Sequence, residues 1–222
     1  PRRIRSAHDN FDRRWNERGE GVVQAGCSIP PPLNAPPTDA SLLAQARRGD
    51  HGAFRTLVER YQDAVATVVI GMLGRGDDAD DVGQETFIRF HDALGQFRGD
   101  AALGTYLRRI AMNLSLNALK RRQRVQSRFV SRDASTAALG EPPVAPYDAE
   151  RTERQETVRR AVSQLTEAHR AVVVLRILDG RSTNETAEVL QVPPGTVMSR
   201  LARGMAELER LLAPYARGGS DD

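Results

Sequence analysis

Apolar residues recur along this chain at intervals of three and four, and nowhere do they alternate with a period of two. That spacing gathers them on one side of a helix, so the pattern predicts an all-α protein without strands. Phe54, Leu57, Val58, Tyr61, Val65, Val68, Val69 and Met72 mark the buried face of one long helix, with Asp50 as its N-cap and Gly74 as its stop. A short helix over 41–48, closed by Gly49, precedes it. A third helix starts at Asp77 or Asp78 and buries Ala79, Val82, Thr86, Phe90, Ala93 and Leu94. After a turn over 96–100, a fourth runs from about Ala102 to Arg124 with Leu103, Leu107, Ile110, Leu114 and Ala118 inward.

The periodicity then lapses. Residues 127–149 are rich in small residues and hold Pro142, Pro143 and Pro146, which reads as a flexible linker. A second helical unit spans 150–214. Val158, Val162 and Leu165 form a stripe, Thr166 can cap the nearly all-apolar run Ala171 to Leu178, and Asp179-Gly180 closes it. Residues 1–37 are rich in Arg, Gly and Pro and read as a disordered N-terminal extension; 215–222 read as a disordered tail. The expected organisation is two small helical domains, 38–126 and 150–214, on a flexible tether.

Charge sharpens this picture by its distribution, since the net value over 222 residues is only +3. Asp77 to Asp100 carries seven acids against Arg89 and Arg98, whereas Ala101 to Arg132 carries eight Arg or Lys and no acid. Segregation of that kind marks interaction surfaces. The single Cys27 excludes an internal disulfide and a cysteine-based zinc site, and the four His show no metal-ligand spacing. No run is long and apolar enough to predict a membrane span, and the basic start lacks the apolar stretch of a secretory signal. A reducing cytoplasm is the expected setting. No cofactor is called for.

Three segments carry candidate chemistry. Ser182 with Glu185 has the spacing of a capping box, and the helix behind it is followed by Gln191-Val192-Pro193-Pro194, where a second helix can begin at once. That is a helix-turn-helix. Val197, Leu201, Met205 and Leu208 would face inward and Thr196, Ser199, Arg200 and Arg203 outward, a cationic face suited to the major groove. On the fourth helix, Arg109, Asn113, Asn117, Lys120 and Arg124 form an outward stripe that Arg121 and Arg122 extend. A helix with no carboxylate attracts phosphate, and Tyr106 and Asn113 offer a stacking ring and an amide for an unstacked base. On the third helix, Asp78, Asp81, Glu85 and Asp92 share a face with Asp80 and Gln84 beside it. Dipole stabilisation of the helix start is the bland explanation for those acids.

Taken in order, these segments resemble the sigma-70 family, and within it the small extracytoplasmic-function group. Asp78-Ala79-Asp80-Asp81-Val82-Gly83-Gln84-Glu85-Thr86-Phe87 is similar to region 2.2. Phe97-Arg98-Gly99-Asp100 and Thr105 to Asn113 are similar to regions 2.3 and 2.4, and Leu165 to Leu201 to region 4. The resemblance implies a non-enzymatic initiation factor that binds core RNA polymerase and promoter DNA. It assigns Asp78, Asp80, Asp81, Gln84 and Glu85 to the polymerase clamp. It assigns Tyr106, Arg109, Asn113, Asn117, Lys120, Arg121 and Arg124 to the −10 element, and Thr196, Ser199, Arg200 and Arg203 to the −35 element. Small members of the group are commonly held by an anti-sigma factor, which no residue here identifies. The chain departs from the family pattern at Gly83, Gly104, Met198 and Gly204. Two rivals stand beside this reading: a stand-alone helix-turn-helix regulator, and an enzyme acting on nucleic acid, for which no nucleophile–base pair or metal cluster is visible.

Overall fold

A computed structural model describes residues 36–97, 99, 101–129 and 149–216. All but the last two residues of the expected N-terminal extension, most of the expected linker and the end of the tail fall outside them. The chain divides at 36/37 into two units, and every helix described here belongs to the second.

The described residues form helices and turns only: α1 Asp39–Ala46, α2 His51–Leu73, α3 Asp77–Asp92, α4 Leu103–Phe129, α5 Ala149–Gln164, α6 Glu167–Val173, α7 Thr183–Leu190 and α8 Pro194–Ala216. A π-helical turn, Val174–Leu178, continues α6. The ends are where local chemistry places them. Thr38 caps α1, and the Asp50 carboxylate accepts from the amides of Gly52 at 2.8 Å and Ala53 at 3.1 Å. Gly74, at φ 81°, ends α2 in a conformation that side chains other than glycine's resist. Helix α4 runs to Phe129, five residues beyond the expected end.

Helix α2 is the central post. It touches α1, α3, α4, α5, α6 and the π turn. Its buried residues, among them Leu57, Val65, Val68, Val69 and Met72, meet Phe90 of α3 and Leu107 and Met112 of α4 in a core that also takes in Leu165, Val173, Val174 and Leu175. The helices on either side of 130–148 therefore share one continuous core. Val172, Val173, Val174 and Leu175 are each 0–1% exposed. Four consecutive buried positions cover every face of a helix, so α6 needs neighbours all round. It finds α2 on one side and α8 on another.

Polar ties reinforce that contact. The Arg170 guanidinium, itself buried, donates to the carbonyls of Met72 at 2.9 Å and Leu165 at 3.1 Å. Arg47 donates to the Leu94 carbonyl at 3.0 Å, fastening α1 to the turn after α3. At the end of the apolar run, Ile177 and Leu178 in the π turn are 53% and 46% exposed. A wider turn rotates the residues after it relative to an α-helix. No helix among the described residues is long and apolar enough to cross a membrane.

Two glycines should respond oppositely to alanine. A Cβ on Gly71 would stand 2.8 Å from both γ-carbons of Val174, whereas one on Gly83 meets nothing within 4 Å. Gly71→Ala should cost about 1–3 kcal/mol through overpacking, outweighing its helix-propensity gain. Gly83→Ala should gain about 0.5–1 kcal/mol. Urea midpoints of the two variants check both.

Candidate nucleic-acid interface

The helix-turn-helix is held by its own small core of Val172, Ala187 and Val197, with Leu190, Val192 and Leu201 packed against it. The capping box is complete: Ser182 Oγ accepts from the Glu185 amide at 3.2 Å, and Glu185 Oε2 accepts from the Ser182 amide at 2.8 Å. The bond from the Ser182 amide to the ionised carboxylate, helped by the Ser182 side chain and by Arg181 Nη1 at 3.0 Å from Oε1, holds the Glu185 carboxyl below its usual range. Gln191 takes the left-handed conformation, φ 54°, and Pro193-Pro194 starts α8 directly after it.

Anchored through Val197 and Leu208, α8 presents Ser199 and Arg203 to solvent, with Thr196 and Arg200 half-exposed. Ser199 donates to the Thr196 carbonyl at 3.1 Å. Met198 shares the exposed side at 55%, its sulfur 3.6 Å from the Thr183 hydroxyl. It adds an apolar contact, of the type that suits a thymine methyl, to an otherwise polar face. Met205, expected inward, is 42% exposed.

On α4 the basic stripe is only partly open. Asn113, Asn117, Lys120, Arg121 and Arg124 are exposed. Arg109 is not: it is 3% exposed and donates through Nη2 to the Glu188 carbonyl at 2.8 Å. Its expected outward placement is corrected by the packing of α7 across the N-terminal part of α4. Burial lowers the Arg109 pKa, opposed by the Glu188 carboxylate and Tyr106. Tyr106 is half-buried. Its ring lies 5.0 Å from Phe97 and 6.5 Å from Phe90, between centroids.

The acidic face of α3 borders a groove against α4. Val82, Leu114 and Ala118 form its floor with Ile88, and Asp78, Asp81, Gln84, Glu85, Arg89, Asn117 and Arg121 its rim. Asp80, Asp81 and Gln84 are exposed. Asp78 is already engaged, 2.5 Å from Arg122 Nε and 3.5 Å from Arg121 Nη2. Glu85 pairs with Arg89 at 2.7 Å, one helical turn on. Sequence reasoning missed Ile88, whose 55% exposure places an apolar side chain beside the acids. Its signal was available: Ile88 falls outside the 3, 4 spacing of the core face.

Comparison with known proteins identifies the family. Residues 57–125 match the family model "Sigma-70 region 2", and residues 155–208 match "Sigma-70, region 4". The RNA polymerase sigma-H factor of Pseudomonas aeruginosa is 35% identical over 188 residues, covering 81% of this chain and 96% of that protein. The chain belongs to the sigma-70 family. The ECF RNA polymerase sigma-E factor of Escherichia coli strain K12 is 36% identical over 186 residues, covering 81% and 97%, which places the chain with the extracytoplasmic-function group. The solved structure of CnrH in complex with the cytosolic domain of CnrY aligns with TM-score 0.59 at 29% identity, over 79% of this chain and 97% of that one. That of the sigma factor RpoE with the anti-sigma factor NepR from Bartonella quintana aligns at 0.58, with 20% identity over 72% and 96%, and shows the shared fold. In the terms of this family, region 2 comprises most of α2 with α3 and α4, and region 4 most of α5 with α6, α7 and the first part of α8.

The capping box predicts a pH dependence. The folded state binds the Glu185 proton less readily than the unfolded chain does. The box therefore contributes fully above the ordinary carboxylate pKa, and its contribution fades as pH falls through the lowered folded value. Ser182→Ala should cost about 1 kcal/mol near neutral pH. Its deficit should shrink in acid, as read from thermal melts between about pH 7 and about pH 3.

Proposed function

We infer that this chain is a bacterial transcription initiation factor that binds core RNA polymerase and directs it to promoters with −35 and −10 elements. One observation carries the reading: sigma-70 region 2 and region 4 occur in order in one chain, which aligns over nearly the whole length of polymerase sigma factors. Three surfaces divide the work. The acidic groove, through Asp80, Asp81 and Gln84 on its open side and Asp78 and Glu85 within ion pairs, meets the polymerase. The exposed side of α4, from Asn113 to Arg124, meets the −10 element, with Tyr106 beside the unstacked bases. Thr196, Ser199, Arg200 and Arg203 read the −35 element.

The division follows from chemistry. Carboxylates repel phosphate, so the α3 groove needs a protein partner with cations and an apolar residue for Ile88. The α4 stripe offers cations and amides without carboxylates, which suits a backbone with unstacked bases. Extruding each base costs a few kcal/mol, so melting draws on the binding energy of the whole assembly. No chemical step is required of the factor, and acting with polymerase places it in the cytoplasm. An anti-sigma factor is a further candidate partner by family membership. A stand-alone regulator would leave the acidic groove without a role.

Run-off transcription with purified core enzyme tests the reading. Specific initiation should require this chain; a palindromic footprint from the chain alone, with no stimulation of core, would overturn it. Asp81→Lys, at an exposed rim position, should weaken core binding about tenfold, as expected for like charges facing each other. Binding of −35 DNA by the same variant should be unchanged. Arg200→Ala and Arg203→Ala should each cost about 1–3 kcal/mol on promoters that depend on the −35 element. Promoters lacking that element should be spared, as measured by initiation from matched templates.

A further inference from the structure

The Arg108 side chain reaches across the shared core. Its Nε lies 2.5 Å from Asp179 Oδ2 and its Nη2 2.9 Å from Oδ1, and the two side chains are 9% and 5% exposed. Asp179 sits where the π turn ends, 71 residues further along the chain. One residue on from Arg108, Arg109 donates to the Glu188 carbonyl of α7. So the second half of the chain caps two adjacent arginines of α4 at the end of the stripe whose other members are open.

A carboxylate held by both nitrogens of one guanidinium edge has the geometry in which arginine holds a phosphate. We propose that Arg108 and Arg109 are a concealed phosphate-binding pair, and that Asp179 stands in for a nucleic-acid phosphate while the two halves are closed on each other. This rests on the reading of α4 as the promoter-facing helix.

The energetics suit an exchange. A buried ion pair loses much of its Coulomb gain to desolvation, so replacing the carboxylate by another anion costs little, whereas leaving Arg108 buried and unpaired costs a great deal. Gly104 makes room for the closed form. A Cβ there would lie 2.8 Å from Arg108 Nη1 and 3.1 Å from the Tyr61 ring. Opening extends the basic stripe by one helical turn, from Asn113 back to Arg109. The closed chain therefore meets single strands with a reduced set of cations.

The test uses the full chain and a fluorescein-labelled oligothymidine 12-mer, because phosphate contacts need no particular sequence. Asp179→Ala should bind it about tenfold more tightly than wild type at low salt, with a log–log salt slope steeper by about 1.4 for two added single-strand contacts. Small-angle scattering of the same variant should show a larger radius of gyration. Asp92→Asn makes an equal change of charge on exposed α3 and should leave affinity near wild type. Arg108→Ala combined with Asp179→Ala should remove most of the gain. A gain no larger than that of Asp92→Asn, or one that survives loss of Arg108, overturns the proposal. Run-off transcription by wild type with core separates the two readings: if initiation succeeds while the oligonucleotide gain is missing, only the masking is wrong. If initiation fails, the promoter-facing role of α4 falls with it.

Discussion

Val172 to Leu175 impose the constraint on which the rest of the arrangement depends. Four consecutive apolar residues with no exposed face cannot lie on the outside of a two-helix unit. They need α2 on one side and the helix-turn-helix on the other, and they have both. Gly71 lets Val174 approach α2, and a Cβ on Gly204 would lie only 3.1 Å from Val173. Once α6 is seated, Arg170 reaches the Met72 carbonyl and α7 falls across the start of α4. The position of the DNA-reading helices relative to the basic helix follows from hydrophobic burial, with the polar contacts adjusting to it.

Much of this was legible in the sequence, for physical reasons that can be named. Capping depends on residues within four positions of each other, so Asp50, Thr166 and the Ser182–Glu185 box are legible in the sequence alone. The buried faces of α2, α3 and α4 follow from the 3, 4 spacing, and Leu57, Phe90 and Leu107 are in the core as expected. The outward side of α8 was readable in the same way. Helical period fixes which residues share a face. It does not tell which other segment will cover that face. Arg109 lies on one line with Asn113 and Asn117, yet α7 covers the first and leaves the others open. The partner of Arg108 is 71 residues away and that of Arg122 is 44, distances at which no local pattern carries information. Ile177 and Leu178 end an apolar run yet lie exposed, because the π turn changes the period itself.

The charged surfaces of α3 and α4 share one design. In both, some of the ions are engaged within the chain and others are left open. Asp78 is held by Arg122 and Glu85 by Arg89, while Asp80 and Asp81 stay exposed beside the apolar Ile88. On α4 the open members are the last four of the stripe. Pairing of that kind weakens long-range attraction to unwanted partners at modest cost in stability, since exposed ion pairs contribute little. It also sets a geometric condition for binding, because a partner must displace an internal ion or use the groups that are already free.

The two kinds of internal ion differ in what displacement costs. Arg122–Asp78 and Arg89–Glu85 are 32–47% exposed, so water can take over either half as the pair opens. Arg108–Asp179 is nearly dry. Its separation strands a charge in an apolar setting unless the surrounding helices part and let solvent or another anion reach it. Opening of that pair is therefore tied to movement of the π turn against α4, whereas the surface pairs open independently of each other. A ligand that pays for exposing Arg108 with its own phosphates would shift the arrangement of the whole second half of the chain, while a ligand touching only Asp81 would shift nothing beyond α3.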